Sequence, residues 1–306
     1  MATAQATEIT EGDLIERGYK SSGSAVRSFF KDGVWATGNM PRQMRRELNV
    51  LGGQLVRCLD MLDLESTDGL PLDVCTEARD QLKDAFAGNP HTAEHAALAE
   101  VVSRHDISTQ WMFDMIDGAD RWVRYREFKT YEQLDAFATD VGASAMAAAV
   151  KIVGFEEPDW EEHAFDCGKA ILLSHLLFKT VPDLQANRCF LAQDDLERYK
   201  LDVQQLKQGK EQAQLKQFVR FNVARLEKLY YSGGKLIPKL GFDGARTLTS
   251  LLCLHWRMLM RVKRDPNCLL EPESISSRRD LLSLKSRHLL GLEGGIPIIP
   301  EQDHHH

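Results

Sequence analysis

Apolar residues recur three and four positions apart in one segment of this chain after another. Between residues 41 and 66 they are Leu48, Leu51, Leu55, Leu59 and Leu62. This spacing gathers the leucines on one face of an α-helix, and no alternating pattern typical of a β-strand runs for a useful length between such segments. The sequence therefore predicts an all-α protein.

The helical segments are joined by short linkers, none of which is a long Gly/Ser or Pro-rich spacer. We therefore expect one domain over residues 20–290, preceded by a flexible N-terminus over 1–19 and followed by a tail over 291–306. The three terminal histidines resemble the remnant of an expression tag. A chain of 306 residues can bury about 75% of its unfolded surface, which is enough to enclose a sizeable pocket.

The formal net charge is −7, and lysine and arginine form no dense block. This balance argues against a nucleic-acid partner.

Six cysteines are scattered without a CxxC pair, which is typical of reduced thiols in a cytosolic protein. The chain starts without the pattern of a secretory signal, and no stretch reaches the ~18 apolar residues of a membrane span. The sequence predicts a cytoplasmic protein and leaves peripheral membrane contact and oligomeric state open.

Charged residues gather in RCLDMLDLE, residues 57–65. On a helix, Asp60 and Asp63 share a face, and Arg57 lies one turn before Asp60. Two carboxylates on one face suit Mg²⁺, which prefers oxygen ligands and usually shares them with a substrate phosphate. A ladder of surface charges has the same spacing, so the residues alone leave both interpretations open.

A second candidate lies in SHLLFKTVPDLQANRCF, residues 174–190. Pro182 removes a backbone donor and indicates the end of a helix. Lys179 and Asp183 lie four residues apart, as in an ordinary ion pair worth about 0.3–0.5 kcal/mol. By itself this segment predicts no site.

The order of these segments along the chain carries a resemblance. After Arg57 and Asp60 come Gly118, FKTYEQL (128–134), VGASAM (141–146), and Cys167-Gly168-Lys169-Ala170 through Asp194-Asp195-Leu196. They follow, in register, the segments GMxxDL, YxTFxEL, VAGTVG and LGxAxQLTNILRDVxED…RxYLPxDEL of the squalene/phytoene synthase family. The chain therefore resembles these all-α enzymes, which join two prenyl diphosphates head to head. The resemblance implies a single-domain helical bundle of the isoprenoid-synthase type around a central cavity.

The chain departs from the family at both aspartate motifs. In the first, DxxxD, Asp60 fills the first position, Leu64 fills the last, and Asp63 lies one residue early. In the second, Lys179 fills the position of the first aspartate and Asp183 that of the last. A metal-ligand carboxylate of the family is thus replaced by a cation.

The resemblance implies a set of residues that bind diphosphate and metal. The diphosphate-binding residues are Arg27, Arg57, Lys179 and Arg188. The Mg²⁺ ligands are Asp60, Asp63 and Asp183. The catalytic residues are Asp60, Asp63 and Lys179, because Lys179 places a fixed positive charge where the family would hold a metal ion.

Three other departures suggest a pocket for an acceptor. His175 and Phe178 stand for an Asn and an Arg of the family, and Trp122 stands for the Asp of GMxxDL. An indole ring suits a flat apolar ligand. We therefore expect these three residues to line the acceptor pocket.

The functional prediction follows from the departures at both aspartate motifs. The sequence predicts a prenyltransferase of secondary metabolism that moves one prenyl group from a prenyl diphosphate to an aromatic, carbazole- or indole-like acceptor, as a squalene-synthase-like branch of the family does. Two alternatives stay open. The first is a head-to-head synthase of the squalene, hydroxysqualene or phytoene type, and the second is a non-catalytic relative that acts as a binding or assembly factor.

Overall fold

Helices form most of the chain that the structure describes. The computed structural model describes residues 10–29, 34–62, 70–155, 157–275 and 278–290. Within these ranges there is no β-strand, and only two isolated β-bridges form. The α-helices are α1 (Glu11–Phe29), α2 (Arg42–Met61), α3 (Leu70–Phe86), α4 (Ala93–Arg104), α5 (Thr109–Tyr125), α6 (Tyr131–Ala138), α7 (Ser144–Val153), α8 (Glu161–Phe178), α9 (Thr180–Gln185), α10 (Gln193–Arg198), α11 (Val203–Lys207), α12 (Leu215–Gly234), α13 (Phe242–Arg264) and α14 (Arg278–Leu290). The all-α prediction is confirmed.

The first helix begins earlier than the sequence predicts. Residues 1–19 were expected to form a flexible N-terminus, yet α1 starts at Glu11. Gly18 and Tyr19 are buried because α1 packs against α4. A Cβ atom on Gly18 would overlap the backbone of Ala93, so the glycine allows the two helices to approach closely. The predicted tail over 291–306 lies outside the described residues.

A continuous helical run, Tyr131–Val153, crosses the middle of the fold. It consists of α6, a π-helical turn over Thr139–Ala143, and α7. The run packs against α2, α5 and α8. It is long and apolar enough to cross a membrane, but half of it is buried inside the protein. Its packing is that of a core helix.

Two glycines bring this central run into contact with α8. A Cβ atom on Gly142 would lie 2.7 Å from the carbonyl oxygen of Gly168, and one on Gly168 would overlap the carbonyl group of Gly142. Only glycine at both positions allows the two backbones to touch. These glycines come from VGASAM and from Cys167-Gly168-Lys169-Ala170, so the two segments that carry the family resemblance meet in space.

Trp122 of α5 is a core residue and does not line an open acceptor pocket. Only 1% of its surface is exposed. Its ring stacks on Phe190 with 4.1 Å between the ring centroids, and its Nε1–H donates to the carbonyl oxygen of Leu62 at 3.2 Å. Leu62 ends the α2 segment, and Phe190 follows the second motif. Trp122 therefore joins the ends of the two motif segments.

The contact between Gly142 and Gly168 can be tested by substitution. We expect Gly168→Ala to lower the free energy of unfolding by about 1–3 kcal/mol, because a methyl group forces two packed backbones apart. Urea denaturation followed by circular dichroism measures the change. Gly12→Ala is the matched control, since a Cβ atom there meets nothing closer than 3.9 Å. Equal stability of the Gly168 variant and the wild type would contradict the close approach.

The hydrogen bond from Trp122 to Leu62 predicts two effects of its removal, one on overall stability and one on the end of α2. Trp122→Phe keeps an aromatic ring but removes the donor to Leu62, and we expect a loss of about 1–2 kcal/mol in the free energy of unfolding. Hydrogen exchange should accelerate at the last turn of α2. Trp111→Phe is the control, because the indole N–H of Trp111 has no hydrogen bond to a described residue. Unchanged exchange in α2 would show that Trp122 does not hold this helix end.

Candidate active site

Two core helices carry partly exposed apolar faces. α7 packs against α2, α5, α8 and α13, yet one of its faces stays partly exposed. The residues of this face follow the three-and-four spacing of a helix and are Ala145, Met146, Ala149 and Val153. On α2, Leu48, Leu55 and Leu59 are also only partly buried. Accessible apolar side chains on neighbouring helices are suited to line a ligand pocket.

The face of α8 that contacts Gly142 ends in polar residues. Leu172 contacts the Gly142 region of the central run, and His175 and Lys179 follow on the same helix face. Both polar side chains are exposed. The Lys179 side chain makes no hydrogen bond or ion pair with any residue in the described part of the chain. The end of α8 therefore presents an exposed ammonium group that no described residue neutralises.

The backbone around Lys179 is fixed by two helices. α8 ends at Phe178 and α9 begins at Thr180, so Lys179 forms the junction between them. Its N–H donates to the carbonyl oxygen of His175 at 3.0 Å, and its carbonyl oxygen accepts from the N–H of Asp183 at 2.9 Å. Pro182 lies in the first turn of α9, where its missing N–H is tolerated. The predicted helix end thus positions Lys179.

Two histidines near Lys179 are neutral at pH 7. Burial, and then the charge of Lys179, lowers the pKa of His175 to about 4. His175 is nevertheless exposed to solvent. His255 of α13 lies against Phe178 with 6.5 Å between ring centroids, and burial lowers the pKa of His255 to about 4 as well. No sequence motif pointed to His255, because only the packing of α13 on α8 brings it here.

Phe178 is itself part of the packing. Only 4% of its surface is exposed. Of the three residues predicted to line an acceptor pocket, the structure therefore leaves only His175 accessible. Trp122 and Phe178 fill the core.

Arg57 of α2 is a second cation, and no carboxylate in the described part of the chain forms a salt bridge with it. Its guanidinium group donates to Oε1 of Gln54, at 3.2 Å from Nε and 2.7 Å from Nη2. It forms no salt bridge with a carboxylate of the described residues. Burial lowers the pKa of Arg57, and the nearby Glu94 opposes this shift. A partly buried guanidinium without a carboxylate partner is costly unless an anion binds to it.

The charge of Arg57 also lowers the pKa of a buried histidine that the sequence analysis did not identify as functional. His95 of α4 is 6% exposed, and its Nδ1 has no hydrogen-bond partner in the described part of the chain. Burial, followed by the charge of Arg57, lowers the pKa of His95 to about 4. His95 is therefore neutral and adds no charge to that of Arg57.

The carboxylates of the first motif are only partly described. Asp60 is exposed at the end of α2, and Asp63 lies outside the described residues. In the described ranges, no group of three acidic, His or Cys side chains is arranged to hold a metal ion. Arg27 is exposed in the last turn of α1. The predicted roles of these residues remain predictions.

The second motif contains an ion pair. Nη2 of Arg188 lies 2.8 Å from Oδ1 of Asp183, and the N–H of Arg188 donates to the carbonyl oxygen of Asp183 at 2.8 Å. Asn187 makes this possible, because its left-handed conformation (φ 59°) turns the chain back on itself after α9. Two residues predicted to bind different groups, metal and diphosphate, thus bind each other.

Solved structures share this fold. A dehydrosqualene synthase in complex with ligand is 20% identical, covers 94% of this chain and 100% of its own, and superposes with a TM-score of 0.80. A squalene synthase from Alicyclobacillus acidocaldarius gives a TM-score of 0.73 at 16% identity, covering 82% of this chain and 94% of its own. The prediction of a single-domain helical bundle of the isoprenoid-synthase type is confirmed.

Similar curated proteins are phytoene synthases. That of Arthrospira platensis is 22% identical over 272 residues, which span 85% of this chain and 87% of the relative. The 15-cis-phytoene synthase of Synechocystis sp. is 21% identical over 253 residues, which span 79% of this chain and 75% of the relative.

These names contradict the main functional prediction from the sequence. Transfer of one prenyl group to an aromatic acceptor is wrong, because the curated relatives are named phytoene synthases and the similar structures are dehydrosqualene and squalene synthases. The predicted alternative, a head-to-head synthase, agrees with them.

The suspected family relationship is confirmed over most of the chain. Residues 29–272 match the sequence pattern of the squalene/phytoene synthase family. This span includes Arg57, Asp60, Lys179 and Asp183. The chain belongs to the squalene/phytoene synthase family.

Proposed function

We propose that this protein joins two prenyl diphosphates head to head and releases diphosphate. The family consists of prenyltransferase-type synthases, and the curated relatives are named phytoene synthases. The observation that carries the proposal is the partly buried guanidinium of Arg57, which no described carboxylate neutralises. A partly buried cation without a salt-bridge partner favours the binding of an anionic ligand. The diphosphate group of a prenyl substrate has the required charge.

The apolar helix faces and the two cations match the two parts of such a substrate. The half-exposed apolar faces of α2 and α7 suit a prenyl chain, and Arg57 and Lys179 suit the diphosphate. When the C–O bond of the allylic diphosphate breaks, the bonding electrons leave with the diphosphate. Positive groups that are already oriented stabilise that charge without having to reorganise. The double bond of the second substrate then attacks the allylic cation, and the new carbocation becomes a neutral product when it loses a proton to a base.

Magnesium fits the first motif of this chain. Asp60 is exposed at the end of α2, and Asp63 follows three residues later in the sequence. Carboxylate oxygens are the ligands that Mg²⁺ prefers, and the ion usually completes its coordination with substrate phosphates and water. When bound, it would stabilise negative charge on the departing diphosphate. Asp60 and Asp63 would hold it in the proposed enzyme.

Product analysis tests the proposed reaction. The purified protein is incubated with farnesyl or geranylgeranyl diphosphate and Mg²⁺, with and without NADPH, and the extract is analysed by mass spectrometry. We expect a product that contains both prenyl chains, either as a hydrocarbon or as its diphosphate precursor. Only unreacted substrate, or only the alcohol of a single prenyl chain, would contradict head-to-head condensation.

The role of Arg57 predicts a strong loss of activity in one variant. Arg57→Gln removes a charge that faces the leaving group, and we expect the rate of condensation to fall by about 10²-fold or more. Steady-state kinetics measures the change, and a melting curve verifies the fold. Arg220→Gln, at an exposed position of α12, is the control and should retain activity. Equal rates for both variants would remove Arg57 from the site.

A further inference from the structure

We propose that the second motif of this chain binds no metal ion and that the ammonium group of Lys179 binds a substrate diphosphate there directly. The inference rests on the proposed function, because it assumes that a prenyl diphosphate binds to the protein. It deepens that function by assigning metal binding to the first motif alone. The predicted metal role of Asp183 and the predicted diphosphate role of Arg188 are both replaced.

The position of Lys179 supports direct contact with an anion. Its backbone is held by hydrogen bonds to both α8 and α9, at 3.0 Å and 2.9 Å. Its side chain is exposed on the same face of α8 as His175 and has no hydrogen bond or ion pair within the described ranges. A cation that is anchored at its Cα atom and unpaired at Nζ is prepared for an anionic ligand.

Asp183 is poorly suited to hold a metal ion. Only 9% of its surface is exposed, and its Oδ1 already accepts from the Arg188 guanidinium at 2.8 Å. A divalent cation would have to displace or crowd this guanidinium, with the ammonium of Lys179 one helical turn away. Coulombic repulsion from both groups opposes its approach.

The remaining groups near the second motif do not complete a metal site. Mg²⁺ takes oxygen ligands in octahedral geometry, whereas His175 offers imidazole nitrogen. The neighbouring thiol of Cys189 is also a poor ligand for a hard cation, and the carboxylate of Glu127 accepts a hydrogen bond from Gln193. Within the described residues, no cluster of three possible metal ligands occurs. The second motif therefore does not fit the metal that the family uses.

The replacement of the family's first aspartate by Lys179 preserves the local charge. One carboxylate with one bound Mg²⁺ carries a single net positive charge, and so does one ammonium group. A lysine at the position of the family's first aspartate thus offers a diphosphate the same net charge without requiring a metal. The difference is that the lysine charge is permanent, whereas a metal site must be loaded.

Two measurements on the full chain test the inference with farnesyl thiolodiphosphate, a non-hydrolysable analogue. The first is its dissociation constant in the presence of EDTA, by calorimetry. We expect detectable metal-free binding by the wild type, at least about tenfold weaker binding by Lys179→Ala, and a near-normal constant for Lys179→Arg. Lys235→Ala, at an exposed position after α12, is the control and should bind like the wild type.

The second measurement counts metal ions. Equilibrium dialysis with Mn²⁺ at saturating analogue gives the number of ions bound per chain. We expect Lys179→Asp, which restores the family's aspartate, to bind at least one more Mn²⁺ than the wild type does. Melting curves of all variants verify that they are folded.

The outcomes separate this inference from the proposed function. If the analogue binds but Lys179→Ala has no effect and Lys179→Asp binds no additional Mn²⁺, the inference is overturned and the proposed function stands. If the wild type fails to bind the analogue with and without metal, the proposed function fails and the inference fails with it.

Discussion

The backbone contact between Gly142 and Gly168 determines how the site is built. Because neither residue has a side chain, the central helical run and α8 touch along their backbones. That contact sets the rotation of α8 about its own axis. Leu172, His175 and Lys179 follow Gly168 at helical spacing, so they share its direction. A larger residue at either position would move His175 and Lys179 relative to the central helical run.

Few groups carry the positive charge near the two motifs. Arg57 lies on α2 and Lys179 follows α8, two helices that pack on α7, and neither cation has a carboxylate salt-bridge partner among the described residues. Nearby histidines do not add to the charge, because burial keeps the pKa values of His95, His175 and His255 at about 4. The positive charge is therefore concentrated on two groups. Partial burial of the Arg57 guanidinium without a salt bridge costs folding free energy, whereas the exposed ammonium of Lys179 stays hydrated.

Sequence patterns predicted the helices well and the contacts between side chains poorly. The spacing of Leu48, Leu55 and Leu59 identified α2, and the replacement of an aspartate by Lys179 was visible without a structure. The pairing of Arg188 with Asp183 was not, because it depends on the left-handed turn at Asn187. The core position of Trp122 depends on Leu62 and Phe190, which are distant in sequence. Partners of that kind cannot be identified from spacing within one helix.

Trp122 shows how the chain keeps the geometry of its site although the motif residues differ from those of the family. Its indole N–H binds the end of the first-motif helix at Leu62, and its ring stacks on Phe190, two residues after Arg188. Arg126 donates to the same carbonyl oxygen at 3.2 Å. The ends of the two motif segments are thus held together by a rigid aromatic group in the core, independently of any metal ion. Because this link needs no bound cation, the loss of a carboxylate at position 179 can change the ligand requirements of the second motif while its position relative to the first is retained.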